Sequence, residues 1–171
     1  MTRIKVCGNT NLEDVTLALE LGVDLIGFIF TRSKRQITID QGRTLTASIP
    51  AQVERVGVFI DEPTSRIAEV IEACALNAVQ LYRPITEADR RLGIPLLAAV
   101  RIGEGRDTLD NGHRSPDRLL LDTYRPDTDG GGTGQPWNWE LATSFGRGQP
   151  IIVSGGLRPD NVSQAIRRLR P

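Results

Sequence analysis

Seven short apolar runs, separated by stretches of helical period, constrain this chain more than any other feature. The runs are Ile4–Cys7, Leu25–Phe30, Arg55–Ile60, Ala78–Leu81, Leu96–Val100, Arg118–Leu121 and Ile151–Val153. They are near-continuous rather than alternating, the pattern of strands buried on both faces of a parallel sheet. Parallel neighbours need a long crossover between them, usually a helix. Leu12, Val15, Leu19 and Leu21 form one apolar stripe behind an Asn11 N-cap. Ile67, Val70, Ile71 and Cys74 form a second, capped near Thr64. Val162, Ala165, Ile166 and Leu169 form a third, with Pro159 near the first turn. A short helix is expected over Thr86–Leu92, and the helical pattern is weakest in "GEGRDTLDNGHRSP" after the fifth run. This alternation predicts a single α/β domain over residues 1–171 with a parallel sheet.

Two architectures fit that order. An open doubly wound sheet needs a glycine-rich fingerprint after its first strand, and "CGNTN" at Cys7–Asn11 is not G-x-G-x-x-G. A (β/α)8 barrel gathers polar chemistry at the C-terminal ends of its strands. Here those ends carry Cys7, Arg35 in "TRSKRQIT", Asp61, Gln80, Arg101, Asp122 and Ser154. The TIM-barrel type is therefore the better fit, with about seven of the eight units present. At 171 residues the chain is shorter than the ~200 at which such barrels usually begin.

Composition excludes several partners. Lys and Arg number 21, as do Asp and Glu, so there is no basic footprint for nucleic acid. No apolar run approaches the ~18 residues that span a bilayer, and the N-terminus lacks the regions of a signal peptide. The expectation is a cytoplasmic protein with neither a nucleic-acid nor a membrane partner. Two cysteines, Cys7 and Cys74, are too few for a disulfide framework. No Cys, His and carboxylate spacing suggests a metal site.

Free cysteines are mostly small buried hydrophobes. Cys74 fits that description on its helical stripe. Cys7 is followed by Gly8 and a polar turn, which argues for exposure at a loop. Asp122 closes the run "RLLL", where a barrel mouth offers a general acid partial desolvation. Asp also opens Asx-turns often, and for a single residue both readings stand. "DGGGTG", Asp129–Gly134, contains Gly132 and Gly134 and lets backbone approach a ligand closely. "VSGGLRPDNV" ends a strand in Ser154-Gly155-Gly156 and starts a helix at about Pro159. Exposed N–H groups and the helix dipole favour an anion there, and barrels commonly bind phosphate after strands seven and eight. In the basic loop, Arg32 and Lys34 read as solvated charges, whereas Arg35 suits a carboxylate fork. Trp137 and Trp139 read as packing residues at the start of a sixth helix. His113, the only histidine, lies in a polar loop, which weakens any Cys-His or Ser-His scheme.

"KVCGNTNLEDV", "GFIFTRSKRQIT", "RVGVFID", "NAVQL", "LLLDT", "GGTGQPWNW" and "SGGLRPDNV" follow one another in the order and spacing of a known family. Over nearly its whole length the chain resembles phosphoribosylanthranilate isomerase, an enzyme of tryptophan biosynthesis. The resemblance implies a (β/α)8 barrel. It also implies an Amadori rearrangement of N-(5-phosphoribosyl)anthranilate without cofactor or metal. By the same resemblance Cys7 is the general base, Asp122 the general acid, and Arg35 the partner of the anthranilate carboxylate. The resemblance also gives Gly155 and Gly156 half of the phosphate site, while Gly132 and Gly134 join the substrate-binding set through their glycine-rich loop.

Three departures stand out. The family's "VQLHG" reads "VQLYR", which puts Tyr82 for histidine and Arg83 for glycine. The lysine of its "GGTGK" is Gln135. The chain ends at "AIRRLRP", where the family continues with an eighth strand, a Ser-Gly phosphate loop and a last helix. Strands one and seven are then expected to carry unpaired edges that invite self-association. Beside the isomerase stand two alternatives: an impaired fragment or non-catalytic assembly subunit, and a related phosphosugar isomerase on the same scaffold.

Overall fold

The structure is a computed structural model that describes residues 2–102, 116–123, 138–144 and 150–171. It has two compact units. The first comprises Arg3–Leu81 with Thr86–Leu96, and the second Tyr82–Ile85 with the described residues of Leu97–Pro171.

The first unit is built from β1 (Lys5–Cys7), α1 (Leu12–Glu20), β2 (Leu25–Ile29), α2 (Ile39–Thr46), β3 (Glu54–Phe59), α3 (Thr64–Ala73), β4 (Ala78–Leu81) and α4 (Glu87–Arg90). Its strands pair in parallel in chain order, with Cys7 opposite Gly27, Gly27 opposite Val56, and Val58 opposite Gln80. Side chains alternate across a strand, so this register places Lys5, Cys7, Gly27, Val56, Val58 and Gln80 on one face. Ile26, Phe28, Phe59 and Val79 lie on the other and are fully buried. Each such side chain stabilises the fold by about 1.5–3 kcal/mol. Val15 and Ala18 of α1, Leu45 of α2, and Ile67 and Val70 of α3 complete the core. Of the expected α1 stripe, Val15 is buried, but Leu12 and Leu21 are exposed. Among the described residues β1 is an end strand, bonded only to β2.

Asn11 caps α1 as expected, its Oδ1 accepting from the Asp14 N–H at 2.8 Å. Thr64 does not cap α3. It is the first helical residue, after Pro63, and its hydroxyl donates to Asp89 Oδ1 at 2.6 Å. Asp89 is fully buried, and its Oδ2 accepts from the Thr86 N–H and hydroxyl, each at 2.8 Å. That capping box fixes α4 inside the expected Thr86–Leu92. No stripe marks α2, because its apolar content is small. A capping box starts it instead, with Thr38 and Gln41 each accepting from the other's backbone N–H.

The second unit holds β5 (Leu96–Ile102, from Leu97 on), β6 (Arg118–Thr123), a 3-10 helix (Trp139–Ser144), β7 (Ile151–Val153) and α5 (Val162–Leu169). Its three strands are parallel, with Arg101 opposite Asp122 and Leu121 opposite Val153. β5 and β6 each run two residues further than their apolar runs, so Asp122 is a strand residue. The last helix begins at Val162, three residues beyond the expected Pro159, after a turn in which the Arg158 N–H donates to Asn161 Oδ1. Trp139 is buried, as a packing residue should be. The expectations for Gly132, Gly134, Gln135, Trp137, His113 and the segment after Ile102 lie outside the described residues. Among the described residues, no helix is long and apolar enough to cross a membrane.

Candidate active site

β1 delivers Cys7 to a tightly held turn. Gly8 takes φ +85°, a left-handed conformation that costs L side chains energy. A Cβ at Gly8 would also overlap the Arg35 guanidinium, which lies against this stretch of backbone. Arg35 Nη1 donates to the Cys7 carbonyl at 2.7 Å. The N–H groups of Gly8 and Asn9 both donate to the Gly27 carbonyl, at 2.9 and 3.3 Å. Asn9 is buried, and its side-chain amide reaches the carbonyls of Val6 and Gly27 at 3.3 and 3.4 Å. This asparagine holds the thiol-bearing turn, and sequence reasoning did not single it out; its place in Cys-Gly-Asn was the available signal.

Space for the thiol comes from the neighbouring strand. A Cβ at Gly27 would stand 2.6 Å from Cys7 Sγ and 3.0 Å from Lys5 Nζ. The thiol and an ammonium therefore border the same gap, with a guanidinium at the turn above. Cys7 is partly exposed, whereas Cys74 is buried and burial pushes its thiol up. Gln80, on the same sheet face as Cys7, is buried with its Oε1 unpartnered among the described residues.

In the second unit Asp122 is 2% exposed and held from three sides. Oδ1 accepts from the Thr123 N–H at 2.8 Å and from Ser154 Oγ at 3.3 Å. Oδ2 accepts from Tyr82 Oη at 2.9 Å. The Arg101 guanidinium lies 5.3 Å from the centre of the Tyr82 ring. The loop after β7 touches this acid. Gly155 has φ +83°, and a Cβ there would overlap Thr123 Oγ1 and stand 3.0 Å from Asp122 Oδ1. Gly156 follows at φ +65°, with its carbonyl accepting from Asn161 Nδ2 at 2.9 Å. Among the described residues, the N–H groups of Gly155 and Gly156 have no hydrogen-bond partner. Successive backbone N–H groups in such a turn form an anion-binding concavity.

Each unit thus brings together residues that the sequence singles out: Cys7 with Arg35 in the first, and Asp122 with Gly155 and Gly156 in the second. Tyr82, first noticed only as a departure, and Thr123 are additions. No cluster of His, Cys, Asp and Glu among the described residues could hold a metal ion.

Comparison with known proteins gives this arrangement a context. The family model described as N-(5'-phosphoribosyl)anthranilate isomerase matches residues 4–171. The enzyme of that name from Thermotoga petrophila is 39% identical over 177 residues, covering 100% of this chain and 85% of its own. The crystal structure of phosphoribosyl anthranilate isomerase from Thermus thermophilus superposes with a TM-score of 0.85 at 31% identity, covering 99% of this chain and 84% of that one. Another phosphoribosyl anthranilate isomerase structure was solved with reduced 1-(o-carboxyphenylamino)-1-deoxyribulose 5-phosphate. It is 34% identical, with a TM-score of 0.82, and covers 100% of this chain and 84% of that one. The seven parallel strands and their helices are thus of the (β/α)8 type, and the chain belongs to the N-(5'-phosphoribosyl)anthranilate isomerase family.

Proposed function

We propose that this chain isomerises N-(5-phosphoribosyl)anthranilate to 1-(2-carboxyphenylamino)-1-deoxyribulose 5-phosphate, a step of tryptophan biosynthesis in the cytoplasm. Asp122 gives a proton to the furanose ring oxygen. The C1–O bond breaks towards that oxygen, and the anilino nitrogen's lone pair forms a C1=N iminium. Cys7, as thiolate, removes the proton from C2, and the resulting enolamine tautomerises to the ketone. Proton transfer by positioned groups of this kind contributes typically ~100- to 10,000-fold. Arg35 pairs with the anthranilate carboxylate, beside the carbons on which Cys7 works. The N–H groups of Gly155 and Gly156 hold the phosphate at the sugar's other end, where Asp122 works. Gly132 and Gly134 join the substrate-binding set through their glycine-rich loop, whose backbone can approach a ligand closely, and no step calls for a metal or cofactor.

The observation that carries this reading is the approach of the Ser154-Gly155 turn to Asp122, whose Oδ1 accepts from Ser154 Oγ and lies 3.0 Å from where a Cβ on Gly155 would stand. It joins a buried acid to two glycines whose N–H groups lack partners among the described residues, and so suits a phosphorylated sugar. A fluorescence assay of anthranilate-conjugate turnover tests it. Cys7→Ala and Asp122→Ala should each lose at least ~3 kcal/mol of transition-state stabilisation while substrate still binds. A Cys7→Ala variant that keeps more than about a tenth of the rate removes the base from the scheme.

A second reading, an assembly chain without turnover, is favoured by the exposed apolar side chains of Ile4 and Val6 at an end strand. It requires association in gel filtration together with a blank in the same assay.

A further inference from the structure

The Asp122 carboxyl is asymmetric. Oδ1 faces the Thr123 N–H, a group that can only donate, so that oxygen is held as an acceptor. A proton carried by this acid therefore belongs on Oδ2. Oδ2 meets Tyr82 Oη at 2.9 Å, and a phenol hydroxyl can donate to an ionised oxygen or accept from a protonated one. It serves both states of the acid without the carboxyl turning. The ring is itself located by the Arg101 guanidinium, at 5.3 Å, from the strand whose Arg101 pairs in register with Asp122. We infer that Tyr82 is a positioning residue that holds the proton-bearing oxygen of the acid towards the ring oxygen of the substrate. This rests on the reading of Asp122 as the general acid.

Tyr82→Phe removes one oxygen and leaves the ring under Arg101. In steady-state assays of the full chain, kcat should fall about tenfold with KM within about twofold, since the bond is worth most in the transition state. Tyr82→His, which again offers a group able to donate or accept, should recover most of that loss. Added to Asp122→Asn, Tyr82→Phe should change the residual rate by less than about twofold, because the two residues act as a unit. The carboxyl carbon resonance of Asp122 in 13C-labelled protein should move in Tyr82→Phe, which reads the bond without turnover. Tyr82→Phe at the parental kcat, a rise confined to KM, equal effects in both backgrounds, or an unmoved resonance each overturns the inference. Asp122→Asn at the parental rate instead overturns the acid assignment itself.

Discussion

Cys7 and Cys74 are chemically the same group in opposite settings. Cys74 sits in the core against Gly42, with its sulfur 3.5 Å from the Ile39 carbonyl, and burial pushes its thiol up. Cys7 is partly exposed beside Gly8. Thiolate character and access set alkylation rates, so iodoacetamide at mildly alkaline pH should label Cys7 first. Cys74 should react only as the fold opens. Peptide mass mapping checks this, and equal labelling of native protein would remove Cys7's distinction. Gly8→Ala meets both a left-handed φ and the Arg35 guanidinium. It should cost about 1–3 kcal/mol of stability and raise KM as Arg35 is displaced. A denaturant midpoint and a kinetic trace on one preparation read both effects. The Cys-Gly pair was legible because local chemistry marks it. Arg35's place against it was not, since that contact spans 28 positions and depends on how the loop after β2 folds back.

At the scale of elements, the strands are the most legible, because β2 to β6 are largely buried runs whose composition reports both faces, and the half-buried β1 and β7 keep the same apolar character. Two ran long. Arg101, Ile102, Asp122 and Thr123 continue strands past the last residue of the apolar run, and polar residues are no barrier where a neighbouring strand keeps pairing. α2 was missed because only a capping box announces it. Thr38→Ala removes the side-chain half of that box and should cost about 1 kcal/mol, seen as a fall of roughly 2–4 °C in Tm. An unchanged Tm would mean that packing at Leu45 alone determines the helix. α5 starts three residues after Pro159, the residue that suggests a first turn. Asn161 is the residue that matters there, bonding both the Gly156 carbonyl and the Arg158 N–H. Asn161→Ala should therefore loosen the glycine pair. Its KM and the inhibition constant of inorganic phosphate should both rise several-fold with kcat nearly intact. A fall confined to kcat would count against a phosphate role for Gly155 and Gly156.

For the molecule as a whole, the contrast between Val6 and Ile26 is the instructive one. They are register partners on adjacent strands and share a sheet face. Ile26 lies between two strands and is fully buried, whereas Val6 on β1 is 38% exposed and Ile4, just before it, 53%. Leu17 and Leu21 of α1 are exposed as well. Apolar side chains beside an unpaired strand edge favour pairing with another chain, and natural edges are blunted by charge, lysine above all. The 171-residue chain should therefore elute above its 18.8 kDa mass, with an apparent size that grows with concentration. Val6→Lys, made with Ile4→Lys, should shift it towards the monomer and lower its aggregation on heating. Both positions are already in solvent, so their replacement costs little core energy, and Ile26→Lys would be the damaging control. A parent chain that stays monomeric at every concentration, with Val6→Lys making no difference to solubility, would show that this edge is tolerated as it stands.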